Sequence, residues 1–147
     1  MTAQADDIDR IMAVMQAAFD PAYGEAWSRR QVEDALLIGN CHYRIVDVGN
    51  DPAGFTLTRH GFEEEELLLI AVSPDFRRRR IGERLLQDCK ADARLRGAKQ
   101  LLLEMRCDNP AVHLYRQNGF EQIGTRKNYY RTPTGNRIDA ITFACRL

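Results

Sequence analysis

The sequence predicts a single α/β (α+β) domain in which helices flank a central sheet. Three observations carry this reading. Apolar residues recur at helical spacing in separated stretches, with strand-like runs between them. Two strand-like runs, 41–48 and 54–60, are joined by Gly49-Asn50-Asp51-Pro52, the signal of an antiparallel hairpin. Two further strand-like runs, 65–72 and 98–106, enclose an amphipathic helix, a strand–helix–strand order.

The elements follow in order. Ile8, Ile11, Met12, Met15 and Ala18 share one face of a helix over 7–19. A second helix starts at Ser28, where Ser28-x-x-Gln31 forms a capping box, and runs to about Leu37 before Gly39-Asn40 breaks it. After the hairpin, Gly61 turns the chain into the strand Glu65 to Val72. A third helix, 80–96, buries Ile81, Leu85, Leu86, Cys89 and Ala93, and Gly97 closes it. The run Leu101-Leu102-Leu103 predicts a central strand over 98–106 covered on both faces. Pro110 opens a short helix to Asn118. Strand segments 120–123, 126–130 and 139–146 complete the chain, with a turn at Pro133-Thr134-Gly135-Asn136.

Bulk properties narrow the function. With 147 residues, 44% hydrophobic and 29% charged, the chain suits one soluble domain, 1–147. The formal net charge is zero, so no global field favours nucleic acid, and no direct nucleic-acid partner is expected. No apolar run reaches transmembrane length and Met1 to Arg10 lacks a signal-peptide core; no membrane partner and a cytoplasmic location are expected. Cys41, Cys89, Cys107 and Cys145 lack Cys-x-x-Cys spacing and read as reduced core residues. No metal constellation appears, and His42, His60 and His113 are scattered.

Chemistry concentrates in residues 65–120. The strand to Val72 leads through Ser73-Pro74-Asp75 into Phe76-Arg77-Arg78-Arg79-Arg80-Ile81-Gly82 and then a helix. Alone, such a block also describes a solvated basic face. Yet four cations at a helix N-terminus oppose the helix dipole, and a bound phosphate would offset that cost. Glu104 interrupts an apolar strand; it is either the strand's wet end or a functional carboxylate. Tyr115, in Leu114-Tyr115-x-x-x-Gly119-Phe120, is either core or a proton donor. Glu63 to Glu66 reads as a solvated hairpin end that could also attract a basic peptide.

Over residues 7–147 the chain resembles the GNAT superfamily of acetyl-CoA-dependent N-acetyltransferases. Arg77-Arg78-Arg79-Arg80-Ile81-Gly82 is similar to the family's phosphate loop, Gln/Arg-x-x-Gly-x-Gly/Ala, with Arg80 at the middle glycine position. Within the superfamily it is most similar to the bacterial ribosomal-protein-alanine N-acetyltransferases. The shared segments are Ala26-Trp27-Ser28, Ile70-Ala71-Val72, Leu103-Glu104, Leu114-Tyr115, Asn128-Tyr129-Tyr130 and Asp139-Ala140-Ile141.

The resemblance implies a GNAT fold: a mixed, mostly antiparallel sheet whose central parallel strands splay. It also implies an additional first strand, for which the first six residues leave little room. Acetyl-CoA would be the co-substrate. Its pyrophosphate would lie on Arg77, Arg78, Arg79, Arg80, Ile81 and Gly82, with the Arg80 amide available if its φ is negative. Backbone amides of Ile70, Ala71 and Val72 would bind the pantetheine arm and polarise the carbonyl. Asn109 would hydrogen-bond that arm; the loop to Tyr115 is one residue shorter than the family's, so Asp108 is the alternative. Glu104 would be the general base, through water, and Tyr115 the acid for the leaving thiolate. Trp27, Tyr129 and Tyr130, with Asp139 near them, would cover the acceptor.

The implied function is acetylation of a protein's N-terminal α-amine, with a ribosomal protein's alanine as candidate acceptor and a monomer or weak dimer as the working state. The alternatives are a small-molecule amine, a lysine side chain, or a non-catalytic acyl-CoA-binding module.

Overall fold

The structure, a computed structural model, describes residues 5–19, 26–132 and 134–147. Helices α1 (Ala5–Ala18) and α2 (Arg29–Ile38) precede the hairpin β1 (Cys41–Val48) and β2 (Asp51–His60). Then come β3 (Glu64–Val72), a 3-10 turn (Pro74–Phe76), α3 (Ile81–Leu95) and β4 (Gln100–Arg106). The chain ends with α4 (Val112–Gln117), β5 (Glu121–Arg131) and β6 (Arg137–Arg146). The six strands form one sheet in the order β1-β2-β3-β4-β6-β5. Only β3 and β4 pair in parallel; the other neighbours are antiparallel.

Local sequence accounts for most boundaries. The Ser28 hydroxyl accepts from the Gln31 amide at 3.2 Å while the Gln31 side chain accepts from the Ser28 amide at 2.7 Å, the expected capping box. Gly39 ends α2 with φ +96°. Gly97, at φ +92°, ends α3: its amide bonds the Arg94 carbonyl and the Ala98 amide bonds that of Ala93, a Schellman closure. Pro52, read as turn, lies inside β2. It is tolerated there because a bulge between Val46 and Asp47 relaxes the ladder opposite it. The two short segments expected near 120–130 are one strand, β5, broken by bulges at Gln122/Gly124 and Arg126/Tyr130. The additional first strand falls largely on residues 1–4, outside the described residues, and Asp6 already belongs to α1. Pro133 of the expected last turn also lies outside them.

Two helical layers cover the sheet. Ile11, Val14 and Met15 of α1 and Val32 and Leu36 of α2 pack on Phe55, Leu57, Leu69 and Ala71. Leu86 and Cys89 of α3 and Tyr115 of α4 pack on Leu67, Leu101, Leu103 and Phe143. Central β4 is less enclosed than its apolar run predicts. Leu101, Leu103 and Met105 are buried, whereas Gln100, Leu102 and Glu104 form a half-buried second face. Not every cysteine is core either: Cys107, in the turn after β4, is exposed. Cys89 fits the expectation, its thiol pushed up to about 12 by burial.

One bulge organises the centre. Leu57 pairs with Leu69 but Thr58 pairs with Leu67, so Leu68 is an extra residue in β3. Because side chains alternate between faces, the extra residue exchanges them. Glu65 and Leu67 lie on the α3 side, and after the bulge Ile70 and Val72 do, while Leu69 and Ala71 face α1. The parallel ladder to β4 runs only from Glu64–Gln100 to Leu67–Leu103 and stops where the bulge begins.

The acidic run at the start of β3 is fully engaged. Glu63 pairs with Lys99 at 3.0 Å and Glu66 with Arg59 at 2.7 Å, and Glu64 accepts from Gln100 at 2.6 Å. Glu65 has no exposed side-chain surface; Arg96, at the end of α3, grips its carboxylate through Nε at 2.8 Å and Nη2 at 2.5 Å. Burial by itself would push that carboxyl up. The Arg96 hydrogen bonds, with that of His60, override it and hold Glu65 below its ordinary value of 4.5. An unfolded chain binds that proton more readily, so the stabilisation is complete above the ordinary value and fades as pH falls through the lowered one. Stability should therefore drop on acidification below about 4.5, and Glu65→Gln should remove part of that dependence. Arg96→Gln, which strands the buried carboxylate, should cost about 3–5 kcal/mol near neutrality. Urea unfolding from pH 3 to 7 checks both; an unchanged acid limb in Glu65→Gln would refute the assignment.

Candidate active site

Beyond the last paired residues, β3 and β4 part, and a cleft of about 290 Å³ opens between them. Leu67 to Ile70 form one wall and Leu103 to Arg106 the other. The cleft draws together residues far apart in sequence: Glu104, Asn109, Tyr115, Trp27 and Tyr130, and also Phe19, which sequence reasoning missed.

Glu104 occupies the half-buried face of β4, its side chain 20% exposed. It meets Arg126 of β5, Nε to Oε2 3.2 Å, and the Thr142 hydroxyl of β6 donates to the same oxygen at 3.4 Å. Neither partner was foreseen. Both follow from the sheet order β4-β6-β5, with Glu104 registered on Thr142, and no local signal announces that pairing. Tyr115 is 6% exposed in α4, edge-on to Phe120 with centroids 5.7 Å apart, and reaches the same cleft. Asn109 lines the cleft and its side-chain oxygen accepts from the Ala111 amide at 2.9 Å. Asp108 instead turns to Arg106, at 3.3 Å, which settles which of the two faces inward.

Of the aromatic residues expected near the acceptor, Trp27 and Tyr130 line the cleft, and Tyr129 does not. Tyr129 is 49% exposed and sits in a bulge, three residues of β5 against one, Asp139, of β6 between the Arg126–Ala140 and Tyr130–Ile138 pairs. Asn128 takes φ +55° in that bulge, and its amide donates to Asp139 Oδ1 at 2.9 Å, so Asp139 anchors the bend. Ala71 turns its side chain into the core against α1, while Ile70 lines the cleft and Val72 the neighbouring groove.

That neighbouring groove lies at the start of α3, walled by Arg77, Arg78, Arg80, Ile81, Gly82 and Leu114. The helix has no side-chain N-cap, so its first amides keep no partner within the helix. Arg80 is the N-cap residue with φ +60°, contrary to the negative φ that would suit an ordinary residue, and Arg78 has φ +64°. Left-handed backbone at these two positions is the conformation a glycine adopts freely. A Cβ on Gly82 would stand 3.1 Å from Leu114 Cδ2, so α3 passes close to α4 there. Arg79 leaves the groove and lies over the Phe76 ring at 5.5 Å. Arg77 also donates to the Ala18 carbonyl at 3.4 Å, joining the turn to the end of α1. Among the described residues no group of three or more His, Cys, Asp or Glu is placed to hold a metal ion, and no helix is long and apolar enough to cross a membrane.

Residues 39–122 match the acetyltransferase (GNAT) domain family. The chain is 35% identical over 144 residues to the ribosomal protein bS18-alanine N-acetyltransferase of Haemophilus influenzae, covering 98% of this chain and 95% of that protein. It is 41% identical over 93 residues to the enzyme of the same name from Salmonella typhimurium, 63% of this chain and 62% of that one. The crystal structure of the ribosomal-protein-S18-alanine N-acetyltransferase from Escherichia coli superposes with a TM-score of 0.85 at 28% identity, covering 99% of this chain and 91% of that one. Fold, site architecture and relatedness over nearly its whole length agree: the chain belongs to the GNAT acetyltransferase family and is an acetyl-transferring enzyme.

Proposed function

We propose that the protein transfers the acetyl group of acetyl-CoA to the N-terminal α-amine of a protein, with alanine first and a ribosomal protein as acceptor. The observation that carries this reading is the cleft that brings Glu104 and Tyr115 together, with Trp27 and Tyr130 at its acceptor side. Relatives that share almost the full length bear the name of bS18-alanine acetyltransferases. We place the enzyme in the cytoplasm as a monomer or weak dimer, with no metal and no nucleic acid or membrane partner.

The residues present fit acetyl-CoA. The groove at α3 combines free helical amides with Arg78 and Arg80, a cradle for pyrophosphate. Beyond Leu67 the edge of β3 facing β4 has no ladder partner, and Ile70 to Val72 would hydrogen-bond the pantetheine arm there, with Asn109 opposite. The co-substrate supplies an activated acetyl group on a thiolate leaving group. Glu104, directly or through one water, takes the proton that the amine loses as its nitrogen bonds the acetyl carbon. Tyr115 gives its proton to the departing sulfur. An α-amine has a pKa near 8 against about 10.4 for lysine, so a single carboxylate suffices to take its proton near neutrality.

Three outcomes are expected. Arg80→Gly should keep acetyl-CoA binding and raise stability by about 1 kcal/mol through relief of the left-handed strain. Titration calorimetry and urea unfolding test this, and lost binding would show that the Arg80 side chain itself is required. Glu104→Gln and Tyr115→Phe should each slow turnover on the order of 100-fold while acetyl-CoA affinity holds. Wild-type rates in either variant would remove that residue from the mechanism. Mass spectrometry of a peptide with N-terminal alanine and an internal lysine should find the acetyl group on the α-amine; a modified lysine only would reject the acceptor.

A further inference from the structure

We infer that Arg126 sets the charge that the acceptor nitrogen meets, by pairing with Glu104 from outside the cleft and so keeping the bound amine unprotonated. The inference rests on the acceptor-amine reading above and concerns how its base is balanced.

Glu104 lines the cleft; Arg126, which holds its carboxylate at 3.2 Å, does not. The guanidinium therefore neutralises the base without filling the place of the substrate. Its side chain is 62% exposed, and an exposed ion pair of this kind adds little to stability. Even so, Arg126 is held in position. Its guanidinium lies over the Tyr129 ring at 5.3 Å, Tyr129 stands edge-on to Tyr130 at 5.0 Å, and Asp139 fixes the intervening bulge through the Asn128 amide. Other groups stand near Glu104. Thr142 of β6 donates to it, and Arg106 of β4 is engaged with Asp108. Tyr115 of α4 and Tyr130 of β5 line the same cleft, and the β3 wall, Leu67 to Ile70, has no ionisable side chain. Arg126 is thus a cation paired with this carboxylate across the sheet.

The direction follows from electrostatics. A bare carboxylate within a few ångströms of an amine stabilises the ammonium form and raises its pKa by roughly 1–3 units. The ammonium has no lone pair to attack with. A carboxylate already paired with a guanidinium presents a weaker negative field at that distance, so the amine enters with a smaller penalty. Glu104 retains a second oxygen for the proton, directly or through water.

The effect belongs to the bound amine, so it appears in the enzyme–substrate complex and not in the free reactants. The experiment measures single-turnover acetyl transfer at saturating alanine-first peptide, and kcat/KM, from pH 5.5 to 9 in wild type, Arg126→Gln and Arg126→Lys. Arg126→Gln should move the acid limb of the single-turnover rate upward by roughly one pH unit. Its kcat/KM limb should stay where the free amine places it, and Arg126→Lys should keep both limbs near wild type. Superimposed single-turnover limbs for wild type and Arg126→Gln overturn the inference, as does an Arg126→Lys limb displaced as far as that of Arg126→Gln. If the wild-type enzyme modifies a lysine or a small amine instead, the acceptor reading fails separately. The same comparison on that amine then decides the role of Arg126, because its nitrogen meets the same carboxylate.

Discussion

The parting of β3 from β4 is the constraint on which the rest of this molecule depends. Two parallel strands in mid-sheet would ordinarily pair along their whole length and bury their edges in each other. Here the ladder ends at Leu67–Leu103, and the extra residue Leu68 bends β3 away at the next step. The backbone groups left without strand partners must be satisfied by something else, water or a ligand. The bulge also exchanges the faces of β3. It keeps Glu65 and Leu67 under α3 and brings Ile70 and Val72 back to that side, with Ile70 on the cleft wall and Val72 on the groove at α3. A single insertion thus creates the opening and decides which side chains face it.

The turn before α3 concentrates three costs. Its helix start lacks a side-chain cap, arginines crowd the positive end of the dipole, and two of them, Arg78 and Arg80, adopt left-handed backbone. An anion on the exposed amides would offset the first two, and the third shapes those amides into a concavity. The φ of +60° at Arg80 is one that glycine, the residue of the family pattern at this position, adopts freely. This chain keeps the conformation and accepts the strain.

Two acid–arginine pairs along the sheet show how burial separates roles for like residues. Glu65 and Arg96 join the start of β3 to the end of α3; with no exposed carboxylate surface, that pair is bound up with folding. Glu104 and Arg126 stand further along the sheet, partly open to solvent and beside the cleft, where the pair leaves the carboxylate reachable. The acidic run Glu63 to Glu66, which as sequence suggested a lure for basic peptides, is spent on local partners at the paired end of β3, before the strands part.

Much of the fold was legible because it is written in local chemistry. The capping box at Ser28, the glycine stops at Gly39 and Gly97, the hairpin turn and the apolar spacing of α3 each act within a few residues, and the structure reproduces them. Glu104, Tyr115, Trp27 and the arginine turn could be picked out through their motifs, and the sheet brings the first three to one cleft. What the linear chain leaves undetermined is contact between strands distant in sequence. Arg126 reaches Glu104 only because β6 lies between β4 and β5; Leu68 is a bulge only relative to β2; and of the neighbours Tyr129 and Tyr130 only Tyr130 lines the cleft, beside a bulge that Asp139 anchors. By itself the sequence determined element types, their ends and the chemical groups available. Register decided which of those groups meet, because an alternating side-chain pattern is satisfied equally well until a second strand pairs with it.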